Sequence, residues 1–169
     1  SNLAITPGTI VFRNDIMEVI HYRPVRDRVH AIPIVMVPPW INKYYILDLD
    51  EKMSMVRHLV AEGFEVFTIS WKNPDASLAN STYERYVLDG VLATIEVARA
   101  VTKAPQVHAV GYCIGGTALA TLMAWLNKKS SREQQMPVAH WTLLSSLIDF
   151  SRPGEIEAFI NEQSLATIE

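Results

Sequence analysis

Apolar residues fall into short continuous runs separated by longer stripes with helical spacing. Thr9-Ile10-Val11-Phe12 and Met17-Glu18-Val19-Ile20-His21-Tyr22 flank the turn formers Asn14-Asp15, which predicts an N-terminal hairpin. The polar stretch 23–30, with Pro24, reads as a loop. Ile32-Pro33-Ile34-Val35-Met36-Val37 is apolar throughout, as a strand buried on both faces of a mainly parallel sheet requires. Pro38-Pro39 ends it, because neither residue offers an N–H to a ladder. A helix is predicted over 52–61, with Asp50 as N-cap and Gly63 as stop. Phe64 to Trp71 is the next strand, broken by Asn73-Pro74-Asp75. Ser81-x-x-Glu84 reads as a capping box, and the helix it opens places Tyr83, Val87, Val91, Ile95 and Ala98 on one stripe before Ala104-Pro105. A strand at 107–112, a run of helix formers from Thr117 to Lys129, a polar loop over 130–136 and a strand at 138–148 follow. The last stretch, Asp149 to Glu169, is polar, punctuated by Pro153-Gly154 and predicted helical.

Strands alternating with helices after a hairpin predict a layered α/β fold. Its sheet is mostly parallel, with right-handed crossovers and helices on both faces. Composition adds little: 49% hydrophobic and 20% charged residues are ordinary for a globular chain. A net charge of -3 argues against a nucleic-acid partner. No apolar run reaches the length of a membrane span, and no secretory signal is expected. The single cysteine excludes an internal disulfide and suits a reducing, cytoplasmic compartment.

That cysteine is the centre of the candidate chemistry. Val107-His108-Ala109-Val110-Gly111-Tyr112-Cys113-Ile114-Gly115-Gly116-Thr117 carries Gly-x-Cys-x-Gly between a buried strand and a helix, the cysteine form of a nucleophile elbow. Two glycines flanking the apex have a steric reason, since side chains at Gly111 and Gly115 are expected to collide across so sharp a turn. The apex is then held in a strained conformation, and the first N–H groups of the helix surround the sulfur. A buried cysteine packing as a small hydrophobe is the plainer alternative.

Three stretches together resemble one family. Pro38-Pro39-Trp40-Ile41-Asn42-Lys43-Tyr44-Tyr45-Ile46-Leu47-Asp48-Leu49, Ile69-Ser70-Trp71-Lys72-Asn73-Pro74 and Gly111-Tyr112-Cys113-Ile114-Gly115-Gly116-Thr117 are similar to the polyhydroxyalkanoate synthases of the single-subunit type, classes I and II. The resemblance implies an α/β-hydrolase fold, with residues 1–148 as the front part of the catalytic core and 149–169 as the start of a cap. It implies polymerisation of (R)-3-hydroxyacyl-CoA into a growing polyester with release of CoA. Cys113 would be the nucleophile, and no cofactor and no metal would be needed. The N–H of Ile114 would be one oxyanion donor, and that of Trp40 or Ile41 the other. A homodimer, cytoplasmic and bound at the surface of polyester granules, is implied as well.

The chain departs from the family pattern by stopping early. Triad order in this fold is nucleophile, acid, histidine, and the last two belong after later strands. His108 and His140 precede that position and read as core or sheet-end residues, and Asp149 comes one strand too early to be the acid. His21, His30 and His58 read as surface or loop residues, and Asp48, Asp50 and Asp75 as caps or turns. The expectation is a fragment lacking its general base. Two other readings stay open: a cysteine thioesterase or depolymerase of the same fold, and a short non-catalytic homologue that binds granules.

Overall fold

The structure is a computed structural model and describes residues 3–40, 43–130 and 135–151. A hairpin opens the chain: β1 (Thr9–Arg13) pairs antiparallel with β2 (Met17–Tyr22). The side chain of Asn14 closes the turn, its oxygen accepting from the N–H groups of Ile16 (3.0 Å) and Met17 (3.1 Å). Strands β3 (Ile34–Val37), β4 (Val66–Trp71), β5 (Val107–Tyr112) and β6 (Val138–Leu144) complete a sheet of order β1-β2-β4-β3-β5-β6. β4, β3, β5 and β6 run parallel, and β2 joins β4 antiparallel. The expected mostly parallel sheet with an N-terminal antiparallel hairpin is therefore what forms.

β3 is buried along its whole length because it feeds two cores. Val35 and Val37 face the larger cluster, where α3 (Ala93–Thr102) supplies Ile95 and Ala98 and α4 (Ile114–Lys129) supplies Ala118, Leu119 and Leu122. Ile34 and Met36 face the smaller one, covered by Val56 and Val60 of α1 (Met55–Ala61). Each Val, Ile, Leu or Met side chain among these, fully buried, contributes about 1.5–3 kcal/mol.

Several local expectations are corrected. The helix after β3 begins at Met55 with Ser54 as its cap, the Ser54 hydroxyl accepting from Arg57 N–H at 2.9 Å. Asp50 instead binds Lys52 and Met53 N–H in the turn before it. Gly63 does stop the helix, at φ +92°. In the next helix the cap is Thr82 rather than Ser81, and α2 (Tyr83–Arg85) passes into a π-helical segment, Tyr86–Leu92, before α3. β6 ends at Leu144, short of the expected Ile148, where Ser145 turns to φ +49°. Asp48 is fully buried, its carboxylate accepting from Thr6 N–H (3.1 Å), Thr6 Oγ1 (2.7 Å) and Ser54 Oγ (2.5 Å). It ties the N-terminal segment to the start of α1. His21 is also buried, stacked on Phe67 with centroids 4.3 Å apart and its Nε2 2.8 Å from the Glu65 carboxylate. The predicted C-terminal helix and most of the expected cap lie outside the described residues.

Among the described residues β6 is paired on one side only, with β5. Its segment Trp141-Thr142-Leu143-Leu144 carries no charge, and Trp141, Leu147, Ile148 and Phe150 are exposed. An uncharged open edge beside bare apolar surface is a template for self-association. The 169-residue chain on its own is therefore expected to elute as a dimer or larger species at micromolar concentration in size-exclusion chromatography with light scattering. A sharp monomer peak with a cooperative melt would show that the edge is protected.

Candidate active site

β5 ends at Tyr112 and α4 starts at Ile114, so Cys113 alone makes the turn from strand to helix. It does so at φ +55°, ψ −130°, a conformation that costs a non-glycine residue about 1–3 kcal/mol. The turn is held from outside: Cys113 N–H donates to the Leu144 carbonyl at 2.9 Å, tying the apex to β6. The Cys113 carbonyl accepts from Gly116 N–H (3.0 Å) and Thr117 N–H (3.4 Å). The N–H groups of Ile114 and Gly115 come first in α4, where helix geometry supplies no intrahelical partner. The free thiol is half-buried.

The three glycines of the turn have distinct jobs, and the expected clash between Gly111 and Gly115 is not the reason for them. A Cβ on Gly111 would fall on the Gly116 Cα. One on Gly115 would fall on the Val37 carbonyl oxygen and lie 2.7 Å from that of Pro38. One on Gly116 would meet the Ser146 side chain. Gly111 and Gly116 let strand and helix touch, and Gly115 lets the loop after β3 press against the turn.

That loop brings Trp40 to the site. The Trp71 indole N–H donates to the Pro38 carbonyl at 2.7 Å in a buried bond. Trp40 stands edge-on to Trp71 (centroids 6.0 Å, 86°) and against Tyr86 (5.2 Å) and Tyr83 (6.2 Å). An open groove of about 580 Å³ runs from Trp40 and Tyr83 past Ile114 and Thr117 along α4 to Ile148 and Phe150. Tyr83 OH and Thr121 Oγ1, 2.9 Å apart, share a hydrogen bond at its side, and Thr117 Oγ1 donates to the Leu147 carbonyl at 2.7 Å. Ile41, the other candidate donor, lies outside the described residues.

None of the five histidines stands at the sulfur. His108 and His140 face each other across β5 and β6 with centroids 5.3 Å apart, in the N-terminal halves of their strands. Cys113 lies five positions beyond His108, roughly 16 Å along an extended strand. Burial, and then the neighbouring imidazole of His140, lower the pKa of His108 from its ordinary value. His30 stacks on Phe64 beside Gly63, His58 is exposed on α1, and His21 is engaged with Glu65. Asp149 is exposed after β6, where the Ser151 side chain, and then the Ser151 N–H that its carboxylate accepts from, hold its pKa below the ordinary value. Among the described residues no three His, Cys, Asp or Glu side chains gather into a metal-ligand cluster. Another open cavity, of about 1060 Å³, lies between Ile5–Thr9, the end of β2 and α1, and none of the elbow residues lines it.

A strained cysteine at a strand-to-helix turn, flanked by glycines and faced by an aromatic loop, is a nucleophile site in shape. Solved structures give the fold: a member of the α/β serine hydrolases without lid from Xanthomonas campestris aligns at TM-score 0.52 and 16% identity, over 85% of this chain and 72% of that one. The mouse α/β hydrolase domain-containing protein 10 aligns at TM-score 0.53 and 12% identity, over 81% and 48%. The family model described as the N-terminus of poly-beta-hydroxybutyrate polymerase (PhaC) matches residues 1–59. The poly(3-hydroxyalkanoate) polymerase subunit PhaC of Cupriavidus necator is 44% identical over 161 residues, 95% of this chain. The poly(3-hydroxyalkanoate) polymerase of Methylorubrum extorquens is 38% identical over 168 residues, 99% of this chain. The chain belongs to the poly(3-hydroxyalkanoate) polymerase family. It spans about a quarter of the length of these relatives, 27% of each.

Within this polymerase-family segment the positions of Cys113, Ile114 and the glycines on the strand-to-helix turn are legible in the sequence, and the part played by Trp71 is not. Its signal is present, in that a tryptophan closes a buried strand with Pro74 three residues on. What could not be read was which carbonyl its N–H would meet, a contact separated by 33 residues. The π-helical segment had no signal at all. It sets Gly90 so that a Cβ there would lie 2.5 Å from the Trp71 ring.

Proposed function

We propose that this chain is the front part of the catalytic domain of a poly(3-hydroxyalkanoate) polymerase and that Cys113 carries the acyl group. The observation that carries the reading is Cys113 at φ +55° on the strand-to-helix turn of a chain from this family. The sulfur attacks the thioester carbon of (R)-3-hydroxyacyl-CoA, and the carbonyl oxygen becomes an oxyanion. The N–H groups of Ile114 and of the loop after β3, from Trp40 or Ile41, are the donors for that charge. Collapse of the intermediate breaks the bond to CoA, which leaves as a thiol with the proton lost by Cys113. Because attacking and leaving groups are both thiols of similar basicity, the exchange is close to balanced. The hydroxyl of a second hydroxyacyl unit then attacks the enzyme thioester: a C–O ester bond forms, the bond from the acyl carbon to the Cys113 sulfur breaks, the hydroxyl proton passes to the released thiol, and the polyester is longer by that unit. Thioester chemistry of this kind needs no cofactor and no metal. The base that moves these protons belongs to residues other than the histidines described above. A cytoplasmic homodimer working at the surface of polyester granules completes the proposal.

The test is CoA release from 3-hydroxybutyryl-CoA, read with a thiol reagent. The 169-residue chain alone is expected to release none above background while iodoacetamide still labels Cys113, and the protein at the full length its gene specifies is expected to turn over. Robust turnover by the isolated chain would force His108 or His140 into the role of base, against their placement.

A further inference from the structure

Between β3 and Trp40 the chain offers little to hold it. Pro38 and Pro39 lack N–H groups, so the loop's first backbone donor is the Trp40 N–H and its grips are carbonyl oxygens. The Pro38 carbonyl is gripped by the indole N–H of Trp71 at 2.7 Å, away from solvent. The same oxygen lies beside Gly115, where a Cβ would come within 2.7 Å of it, so this peptide borders the elbow directly.

Two dihedrals relate the Pro38–Pro39 peptide plane to the Pro39–Trp40 plane, and the proline ring fixes one of them near φ −65°. Once the Pro38 carbonyl is fixed, only ψ of Pro39 remains to decide where the Trp40 N–H points. The Trp40 ring, packed against both Trp71 and Tyr86, restrains that angle in turn. Trp71 is itself immobilised: it is buried at the end of β4, packs on Tyr86 at 5.4 Å and sits against Gly90. Its hydrogen bond also engages a carbonyl oxygen that would otherwise present negative charge beside the site of a developing oxyanion.

We propose that Trp71 is a positioning residue for acyl transfer, fixing the Pro38 carbonyl and thereby aiming the Trp40 N–H at the Cys113 turn. This rests on the reading of Cys113 as the acyl-carrying nucleophile. It predicts a defect confined to steps that create an oxyanion, because the N–H of Trp71 touches neither sulfur nor substrate.

The experiment replaces Trp71 in the full-length protein with 3-benzothienylalanine, which keeps the bicyclic ring and puts sulfur in place of the N–H. Trp71→Phe serves as a second variant. Two rates are compared: CoA release from 3-hydroxybutyryl-CoA and alkylation of Cys113 by iodoacetamide, a displacement at a CH₂ carbon that forms no oxyanion. The expected result is kcat lowered roughly 10- to 100-fold, the scale of a misplacement of about 1 Å, with KM changed by less than about twofold and alkylation unchanged. An isostere with wild-type kcat overturns the inference. So does a parallel fall in kcat and alkylation, which would make Trp71 a structural residue only. If the unmodified protein releases no CoA, or Cys113→Ala releases as much, the nucleophile reading itself fails and the inference falls with it.

Discussion

Replacing Cys113 with glycine is expected to stabilise the fold while abolishing acyl transfer. The residue sits at φ +55°, ψ −130°, where a side chain is strained and glycine is not. Relief of that strain is worth about 1–3 kcal/mol, offset by the roughly 0.5–1 kcal/mol of extra freedom that glycine gives the unfolded chain. A net gain of about 1 kcal/mol should appear as a higher urea midpoint with unchanged slope. Activity should fall on the order of 10⁴-fold or more, because no other group can hold the acyl unit. Cys113→Ala should lose activity equally but gain no stability, since alanine keeps a Cβ. Strain retained at a reactive residue is a cost that function imposes on the fold. A Cys113→Gly protein of lower stability would mean that the thiol packs as an ordinary core group.

Gly115→Val should be among the most damaging single changes in this segment. Its Cβ would land on the Val37 carbonyl oxygen and 2.7 Å from that of Pro38, and both are backbone atoms at the end of a central strand. Neither can move without breaking β3 from β5 or the Pro38 carbonyl from Trp71. A loss of about 3 kcal/mol or more follows, the upper range for overpacking. Gly116→Ala is the control. Its Cβ meets chiefly Ser146, whose Oγ can rotate away at the expense of a 3.1 Å bond to the Leu144 carbonyl and whose Cβ, 2.7 Å away, can shift with the segment after β6 and not with a central strand. That change should cost less than about 1.5 kcal/mol. Urea unfolding of the two variants would measure the gap, and equal losses would mean that the loop after β3 does not press on the turn.

These effects divide what the amino-acid sequence determined from what only the packed molecule decided. The strand and helix runs, the Asn14-Asp15 turn, the two-faced burial of β3 and the turn at Cys113 depend on residues within a few positions of each other. Periodicity, proline's missing N–H and glycine's missing Cβ are local facts and therefore legible. Choices between neighbouring polar residues were less so: Ser54 rather than Asp50, and Thr82 rather than Ser81, became caps because of where the chain enters each helix. His21 reads as a surface or loop residue and Asp48 as a cap or turn residue, and both are buried because Glu65 and Phe67, and Thr6 and Ser54, arrive from elsewhere to satisfy them. The partners of Gly115 and Gly116, the π-helical segment seated on Trp71 and the grip of Trp71 on Pro38 all depend on strand order. Strand order brings β3, β4 and β5 side by side from positions 34, 66 and 107, and no spacing rule within the chain specifies that contact.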